Sequence, residues 1–157
     1  MSWQFDQASG IGGRAEQQDR TAIMSVPGRT DEHLVVLADG MGGQQDGALA
    51  AQAVIDTARD EVKRLPFHEP RQFLTDLCQR AHEAIRALGR LRQSNPASTC
   101  AALYLRPGEA YWVHVGDSRL YVLHDQQLIK ITEDQTFARF LVEEGEITPE
   151  QVPNHYS

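Results

Sequence analysis

The chain has 157 residues, of which 41% are hydrophobic and 24% are charged, which is typical of one globular domain with a real core. Its net charge of -7 argues against a nucleic-acid binder, because such a protein needs a surplus of lysine and arginine to neutralise phosphates. The N-terminal segment lacks the features of a signal peptide and no apolar run approaches a membrane span, so we expect no membrane insertion.

The first half of the chain predicts two strands followed by two helices. Residues 21–25 and 33–38 are apolar runs on either side of a polar turn, as in paired strands. Apolar residues recur at helical spacing from Gly47 to Arg64, and Pro66 ends that pattern. A second helix is predicted over about 71–91, and its apolar stripe indicates core packing.

The second half predicts a series of antiparallel hairpins. Short runs rich in β-branched and aromatic residues, separated by turns, cover 99–105, 110–115, 119–123 and 127–131. A helix is predicted over 136–144. Another is expected to begin at Thr148, which can cap it, with proline at the first helical position and glutamine three residues on. This order indicates an α+β fold with mainly antiparallel sheet.

The two cysteines, Cys78 and Cys100, both lie within apolar patterns. They predict reduced core thiols in a cytoplasmic protein, although a disulfide between them stays open at this point.

The segment HLVVLADGMGGQQDGALAAQ, residues 33–52, has the order strand, glycine turn, helix, in which many proteins bind phosphate. A dinucleotide site requires G-x-G-x-x-G, and Asp60 lies at a distance suited to its ribose-binding acid. The first two glycines fit, but the sixth position is Gln45, so the glycine that permits close helix–strand packing is missing. A P-loop is excluded, because no Gly-Lys-Ser/Thr follows. A glycine turn with Asp39 as an incidental cap remains open.

A metal site is the third interpretation of this segment. Asp39 at the end of a buried strand offers hard oxygens that suit Mg²⁺ or Mn²⁺, and Gly40, without a Cβ, lets the backbone approach an ion. Such a site requires further acids and a phosphate-binding cation, which Arg14 and Asp19 in GIGGRAEQQDR and Asp117 in VHVGDSRLYVL can supply. Taken singly, each of these three is more typical of a solvated surface or turn residue.

Taken in order, the motifs resemble the metal-dependent PPM (PP2C-type) serine/threonine protein phosphatases, above all the bacterial members. The motifs are R-A-E-Q-Q-D, D-G-M-G-G, S-T-C-A-A, G-D-S-R, and T-E-D-Q-T ahead of E-E-G-E-I-T-P-E. The resemblance covers essentially the whole chain, residues 1–157, and D-G-M-G-G with a downstream G-D-S-R is specific. It implies an antiparallel β-sandwich flanked by helix pairs, in an α-β-β-α arrangement, with a binuclear Mn²⁺/Mg²⁺ centre at one end.

The resemblance also implies a role for each candidate residue. Asp39 would bridge two metal ions, Gly40 would coordinate through its carbonyl, and Asp19 would bind directly or through water. Arg14 would clamp the substrate phosphate in the bidentate manner of arginine, and Asp117 matches a third-metal position of some members. Members hydrolyse phosphoserine and phosphothreonine with a metal-activated water. The implied partner is a phosphorylated protein, in opposition to a serine/threonine kinase.

Several positions depart from the family pattern. Gln18 stands where many members have glutamate, and Gln44 replaces a common histidine. Met41 occupies the place of a histidine proposed as general acid in animal members, so no general acid is evident. Gln135 and Thr136 replace the usual His-Ser.

The family's domains also continue into strands with S-D-G and D-N segments that supply metal-binding aspartates, and this sequence has neither. Two divalent ions carry more charge than Asp19 and Asp39 neutralise, so we expect weak or single-metal binding and an uncovered apolar sheet surface. Two functions follow. The chain is the N-terminal and central portion of a phosphatase domain, or it is a non-catalytic phosphatase-like module that binds a phosphoprotein or partner.

Overall fold

The computed structural model describes residues 3–41, 46–64 and 69–154. The glycine turn is predicted to begin at Asp39, and its residues 42–45, with Gln44 and Gln45, lie outside the described residues, as does Pro66.

The main sheet has five strands, all paired antiparallel. They are β1 (Asp19–Ser25), β2 (His33–Met41), β3 (Ala97–Ser98), β4 (Cys100–Arg106) and β5 (Glu109–Val115), in the order β1-β2-β4-β5 with β3 paired to β2. The strand predicted over 99–105 is confirmed as β4, and the short strand β3 precedes it, with Thr99 between the two. Strand β2 extends to Met41, so Asp39 and Gly40 lie within the strand and not after its end.

Two helices, α1 (Asp46–Glu61) and α2 (Pro70–Arg92), cover one face of this sheet. Side chains of a strand alternate between the two faces of the sheet, and Leu34, Val36 and Ala38 of β2 are fully buried in a common core with residues of both helices. The helices therefore cover the face on which these three side chains lie. Both predicted helices are confirmed. The odd-numbered residues of β2, including Asp39, therefore lie on the face away from the helices.

A second sheet consists of β6 (Tyr121–His124) and β7 (Gln127–Lys130), joined by a tight turn with left-handed backbone at Asp125 and Gln126. The predicted hairpins β4–β5 and β6–β7 are confirmed. The predicted hairpin between β5 and β6 is wrong, because these two strands belong to different sheets and the G-D-S-R segment connects the sheets. The expected apolar exposure is present in this second sheet, where Leu123 is 71% and Leu128 67% exposed.

The last described elements are α3 (Phe137–Glu143) and a 3-10 helix (Pro149–Asn154). Thr136 caps α3, since its Oγ1 accepts the Arg139 backbone N–H at 3.2 Å. The start at Thr148 is confirmed by its backbone N–H, which donates to the Gln151 side chain at 2.8 Å. An α-helix there was expected, but Pro153 has no N–H to donate four residues back, and the segment is 3-10.

Cys78 on α2 and Cys100 on β4 are both free thiols, in agreement with the sequence prediction. Among the described residues, no helix is both long and apolar enough to cross a bilayer. The described part is an α+β fold with antiparallel sheets, as predicted.

Candidate metal-binding and phosphate-binding site

Asp19 and Asp39 lie directly opposite each other on neighbouring strands β1 and β2. The backbone N–H of Gly40 donates to the carbonyl oxygen of Gln18 at 3.3 Å, so Gly40 and Gln18 form a hydrogen-bonded pair. Because hydrogen-bonded and non-hydrogen-bonded pairs alternate along an antiparallel ladder, the adjacent pair, Asp19 and Asp39, is of the non-hydrogen-bonded type. Side chains approach most closely in such a pair, with Cβ atoms about 4.5–5.5 Å apart. The sheet therefore places two carboxylates side by side on its helix-free face.

The electrostatics of Asp39 show which other charges are near. Partial burial raises the pKa of the Asp39 carboxyl, and the negative charge and hydrogen bond of Asp19 raise it further. The charge of Asp117 also raises this pKa, whereas the positive charge of Arg14 lowers it. The structure thus brings all four predicted side chains into one electrostatic neighbourhood. The repulsion within it is of the kind that a bound cation relieves.

Gly40 is required for packing at the start of α1. A Cβ on Gly40 would lie 1.9 Å from the carbonyl oxygen of Gly47, and a Cβ on Gly47 would lie 2.9 Å from the carbonyl oxygen of Gly40. The sequence has no glycine at Gln45, the position that allows close helix–strand packing in a dinucleotide site. Gly47 in the first turn of α1 provides the close approach instead. Metal coordination by the Gly40 carbonyl stays a prediction.

Thr99 holds the backbone of Asp39 from the neighbouring chain segment. Its Oγ1 accepts the Asp39 N–H at 2.9 Å, and its own N–H donates to the Asp39 carbonyl oxygen at 2.8 Å. The same Oγ1 lies 2.6 Å from Oγ of Ser118, in the G-D-S-R segment. Thr99 is 1% exposed, so this hydroxyl links the backbone of Asp39 to the segment that contains Asp117 inside the protein.

Sequence reasoning missed the role of Thr99. The S-T-C-A-A run resembles part of the family pattern, and the one local sign of a role for Thr99 is a polar side chain at the start of a small-residue, mostly apolar run. Such a residue is buried only when its hydroxyl is hydrogen-bonded.

The G-D-S-R segment is fixed by Gln135. The Gly116 N–H donates to Oε1 of Gln135 at 3.1 Å, and the Gln135 N–H donates to the Gly116 carbonyl oxygen at 2.9 Å. Gly116 has φ +99° and packs on Thr99, where a Cβ would lie 2.7 Å from the threonine methyl carbon. Gln135, which departs from the family pattern, thus makes a reciprocal pair of bonds that positions the segment around Asp117.

An ion pair between Arg119 and Asp134 also holds the G-D-S-R segment in place. The Arg119 Nε donates to Oδ1 of Asp134 at 2.9 Å, and Nζ of Lys130 donates to the same oxygen at 2.9 Å. Hydrogen bonds from these two cations lower the pKa of Asp134 to about 2. The G-D-S-R and T-E-D-Q-T motifs, separated in the sequence, are therefore in direct contact in space.

Arg14 is exposed, and its side chain forms no ion pair with any residue in the described ranges. Its guanidinium is therefore available to an anion near Asp39. Within the described part of the chain, no three or more His, Cys, Asp or Glu side chains are close enough to hold a metal ion together. Asp117 is thus near Asp39 without completing a three-ligand cluster, and the core of the site is the Asp19–Asp39 pair.

A sequence profile of the protein phosphatase 2C family matches residues 7–151 of the chain. The chain belongs to this family. It is 37% identical over 131 residues to the serine/threonine protein phosphatase PstP of Mycobacterium tuberculosis, covering 78% of this chain and 24% of that protein. It is 26% identical over 136 residues to the protein phosphatase PhpP of Streptococcus pneumoniae, covering 81% of this chain and 53% of that protein.

Solved structures show the same fold. The catalytic domain of PstP in complex with two manganese ions superposes with a TM-score of 0.70 at 31% identity, over 92% of this chain and 64% of that one. The phosphatase Stp1 of Staphylococcus aureus gives a TM-score of 0.71 at 29% identity, over 94% of this chain and 59% of that one. The chain spans about a quarter of the mycobacterial protein and about half of the streptococcal one.

Proposed function

We propose that residues 1–157 are the N-terminal and central portion of a PPM-type phosphatase domain that hydrolyses phosphoserine and phosphothreonine in proteins. The observation that carries this proposal is the cross-strand pair of Asp19 and Asp39, with Arg14 close enough to lower the pKa of Asp39. Family membership and the names of the relatives, all protein phosphatases, support the same function.

The donor set fits a hard divalent cation. Asp19 and Asp39 offer carboxylate oxygens from one sheet face, and we propose that Gly40 adds its carbonyl oxygen and that Asp117 contributes to a further ion. Mn²⁺ or Mg²⁺ bound there would supply Lewis-acid activation of water and neutralise negative charge on the phosphoryl group. With only two adjacent carboxylates, we propose that these 157 residues bind such an ion weakly or bind a single ion.

In the proposed reaction a water oxygen bonds to phosphorus and the bond from phosphorus to the serine or threonine oxygen breaks. The leaving oxygen must receive a proton. Met41 has no proton to donate, so we propose that a water molecule gives the proton to the leaving oxygen while the attacking water releases its own proton to the solvent. The contribution of Arg14 is orientation: its planar guanidinium binds two phosphate oxygens and holds phosphorus beside Asp39.

A second candidate function is a phosphatase-like module that binds a phosphoprotein without hydrolysing it. The observation in its favour is that no cluster of three metal-ligating side chains forms within the described part of the chain. Arg14 would still bind a phosphate in such a module, since its role requires only positive charge and a planar donor set.

We also infer the substrate, the opposing enzyme and the cellular compartment. The substrate is a phosphorylated protein, and the reaction opposes that of a serine/threonine kinase. The free thiols of Cys78 and Cys100 support a reducing, cytoplasmic setting.

The test is Mn²⁺-dependent hydrolysis of para-nitrophenyl phosphate. We compare the 157 residues alone with the same residues joined to the C-terminal strands of a full-length relative, and we use Asp39→Asn and the matched exposed control Asp60→Asn. Activity that needs the added strands and is abolished only by Asp39→Asn supports the phosphatase. If the joined protein folds, binds Mn²⁺ and stays inactive, the catalytic proposal fails and the binding module is supported.

A further inference from the structure

The end of the domain that carries Asp39 also carries a basic groove. This cavity of about 510 Å³ lies between the C-terminal half of α2 and residues 93–98. Three basic side chains line it, His82, Arg86 and Arg90, and we call it the α2 groove. They are spaced four residues apart, so they lie on one face of the helix.

The α2 groove is positively charged although the protein is acidic. The protein has a net charge of -7, yet residues 80–92 contain four arginines and a single acid, Glu83. Arg80 is bonded to Glu61 at 3.2 Å, and Arg92 is bonded to Asp46.

Arg86 and Arg90 differ from these two arginines. Both are exposed and line the cavity, and neither forms an ion pair with any residue that the structure describes. The acid beside them in sequence, Glu83, forms no ion pair with them. Two guanidinium groups are therefore available to an anionic ligand in the groove.

The groove lies on the helix side of the sheet, at the end that carries Asp39, whereas the Asp39 side chain lies on the other face. Ser98 forms part of its wall and lies opposite Gly40 in the pairing of β3 with β2. Arg92, at the end of α2, is bonded to Asp46 at the start of α1, which follows the D-G-M-G-G motif. Neighbouring strands are about 4.8 Å apart and an extended peptide advances about 3.3 Å per residue, so a flanking segment of several residues can pass round the end of the sheet from the Asp39 face to the groove.

We propose that the α2 groove is a docking subsite for an acidic segment of the phosphoprotein substrate, next to its phosphorylated residue. The inference rests on the proposed function, because the phosphorylated residue itself is held at Arg14 and Asp39. Carboxylates or additional phosphates in the segment match the guanidinium groups of Arg86 and Arg90 in charge and geometry. A nucleic acid fits less well, since the net charge of -7 repels a continuous polyanion.

The experiment measures peptide binding by fluorescence anisotropy at low salt, without added metal. One labelled peptide has phosphoserine flanked by glutamates, and the other has phosphoserine flanked by glutamines. The variant R86Q/R90Q removes the groove charges, and R86K/R90K retains them. The matched control R59Q/R71Q removes the same charge from exposed helix positions outside the groove.

We expect the wild-type protein to bind the glutamate peptide about five- to tenfold more tightly than the glutamine peptide. R86Q/R90Q loses this preference, R86K/R90K retains most of it, and the control changes it less than about twofold. The preference also falls as salt is raised. Circular dichroism confirms that each variant is folded.

Equal affinity for both peptides would overturn the proposal, and so would an R86Q/R90Q variant that keeps the wild-type preference. Tighter binding of single-stranded DNA than of either peptide would overturn it in favour of a nucleic-acid site. The hydrolysis assay tests the proposed catalytic function, and its result does not depend on the peptide-binding result. A groove that discriminates between the peptides in an inactive chain sustains this inference while the catalytic proposal falls.

Discussion

Replacing Thr99 by valine tests whether its hydroxyl holds the site together. Valine keeps the shape of threonine but removes the acceptor of the Asp39 N–H and the partner of the Ser118 hydroxyl. Serine at this position keeps the hydroxyl and removes only the methyl group that packs on Gly116. The two variants therefore separate hydrogen bonding from packing.

The magnitudes follow from the burial of Thr99. An unsatisfied buried N–H costs about 1–3 kcal/mol, and the Asp39 N–H is only partly buried, so we expect T99V to lose about 1–2 kcal/mol of unfolding free energy. T99S removes one buried methyl and loses about 1 kcal/mol. The loss of unfolding free energy is similar for T99V and T99S, so it does not distinguish them. The rate of hydrogen exchange at the Asp39 amide does. Its hydrogen exchange accelerates in T99V and stays protected in T99S.

The assay combines urea denaturation with amide hydrogen exchange, and it includes Ser118→Ala in both backgrounds. S118A is expected to cost about 1 kcal/mol in the wild-type protein and close to nothing in T99V, because the hydroxyl bridge is already absent there. A T99V protein as stable as wild type, with a protected Asp39 amide, would refute the reasoning. Additive effects of T99V and S118A would refute the bridge between the hydroxyls.

Three further substitutions test the packing and the electrostatics. Gly40→Ala is expected to abolish cooperative unfolding followed by circular dichroism, because its Cβ would lie 1.9 Å from a backbone oxygen, whereas Gly10→Ala, with open space around it, is neutral. Leu77→Ala, at a fully buried position, loses about 2–5 kcal/mol in urea denaturation, and Leu91→Ala, 83% exposed, changes stability little. Asp134 has its pKa lowered from 3.8 to about 2, so its stabilising effect is complete above pH 3.8 and disappears as pH falls toward 2. An acid titration of stability should therefore be less steep in Asp134→Asn, and equal slopes would contradict the ion pairs described for this residue.

The helices and hairpins were predictable because each is encoded in a local pattern. The apolar stripe of α2 has helical spacing, and the strands β4 and β5 are largely apolar runs, with aromatic and β-branched residues mainly in β5, joined by a short turn. The 3-10 helix at Pro149 was less predictable, since a correct start signal was followed by Pro153, which blocks α-helical hydrogen bonding.

The placement of β5 and β6 in different sheets could not be predicted from local pattern. The G-D-S-R segment resembles an ordinary turn, and its course depends on long-range bonds from Thr99, Gln135 and Asp134. Strand pairing likewise depends on contacts between residues that are distant in sequence. That Asp19 and Asp39 are opposite each other follows from register, which the sequence constrains only through the alternation of buried residues.

The sequence motifs indicate the candidate site residues, and the structure places Arg14, Asp19 and Asp117 close enough to Asp39 for their charges to shift its pKa. Their roles toward metal and phosphate remain predictions. The local pattern around Thr99 shows a polar residue in a run of small residues, but it does not reveal the hydrogen-bond partners Asp39 and Ser118, which are far away in sequence.

The central claim is that the Asp19–Asp39 pair holds a divalent cation. Titration of the 157 residues with Mn²⁺, followed by electron paramagnetic resonance of the free ion, tests it most directly. We expect weak binding of about one ion per chain, lost in Asp39→Asn and unchanged in Asp60→Asn, an exposed carboxylate on α1. Binding that survives in Asp39→Asn, or no binding by the folded wild-type chain, would contradict the account.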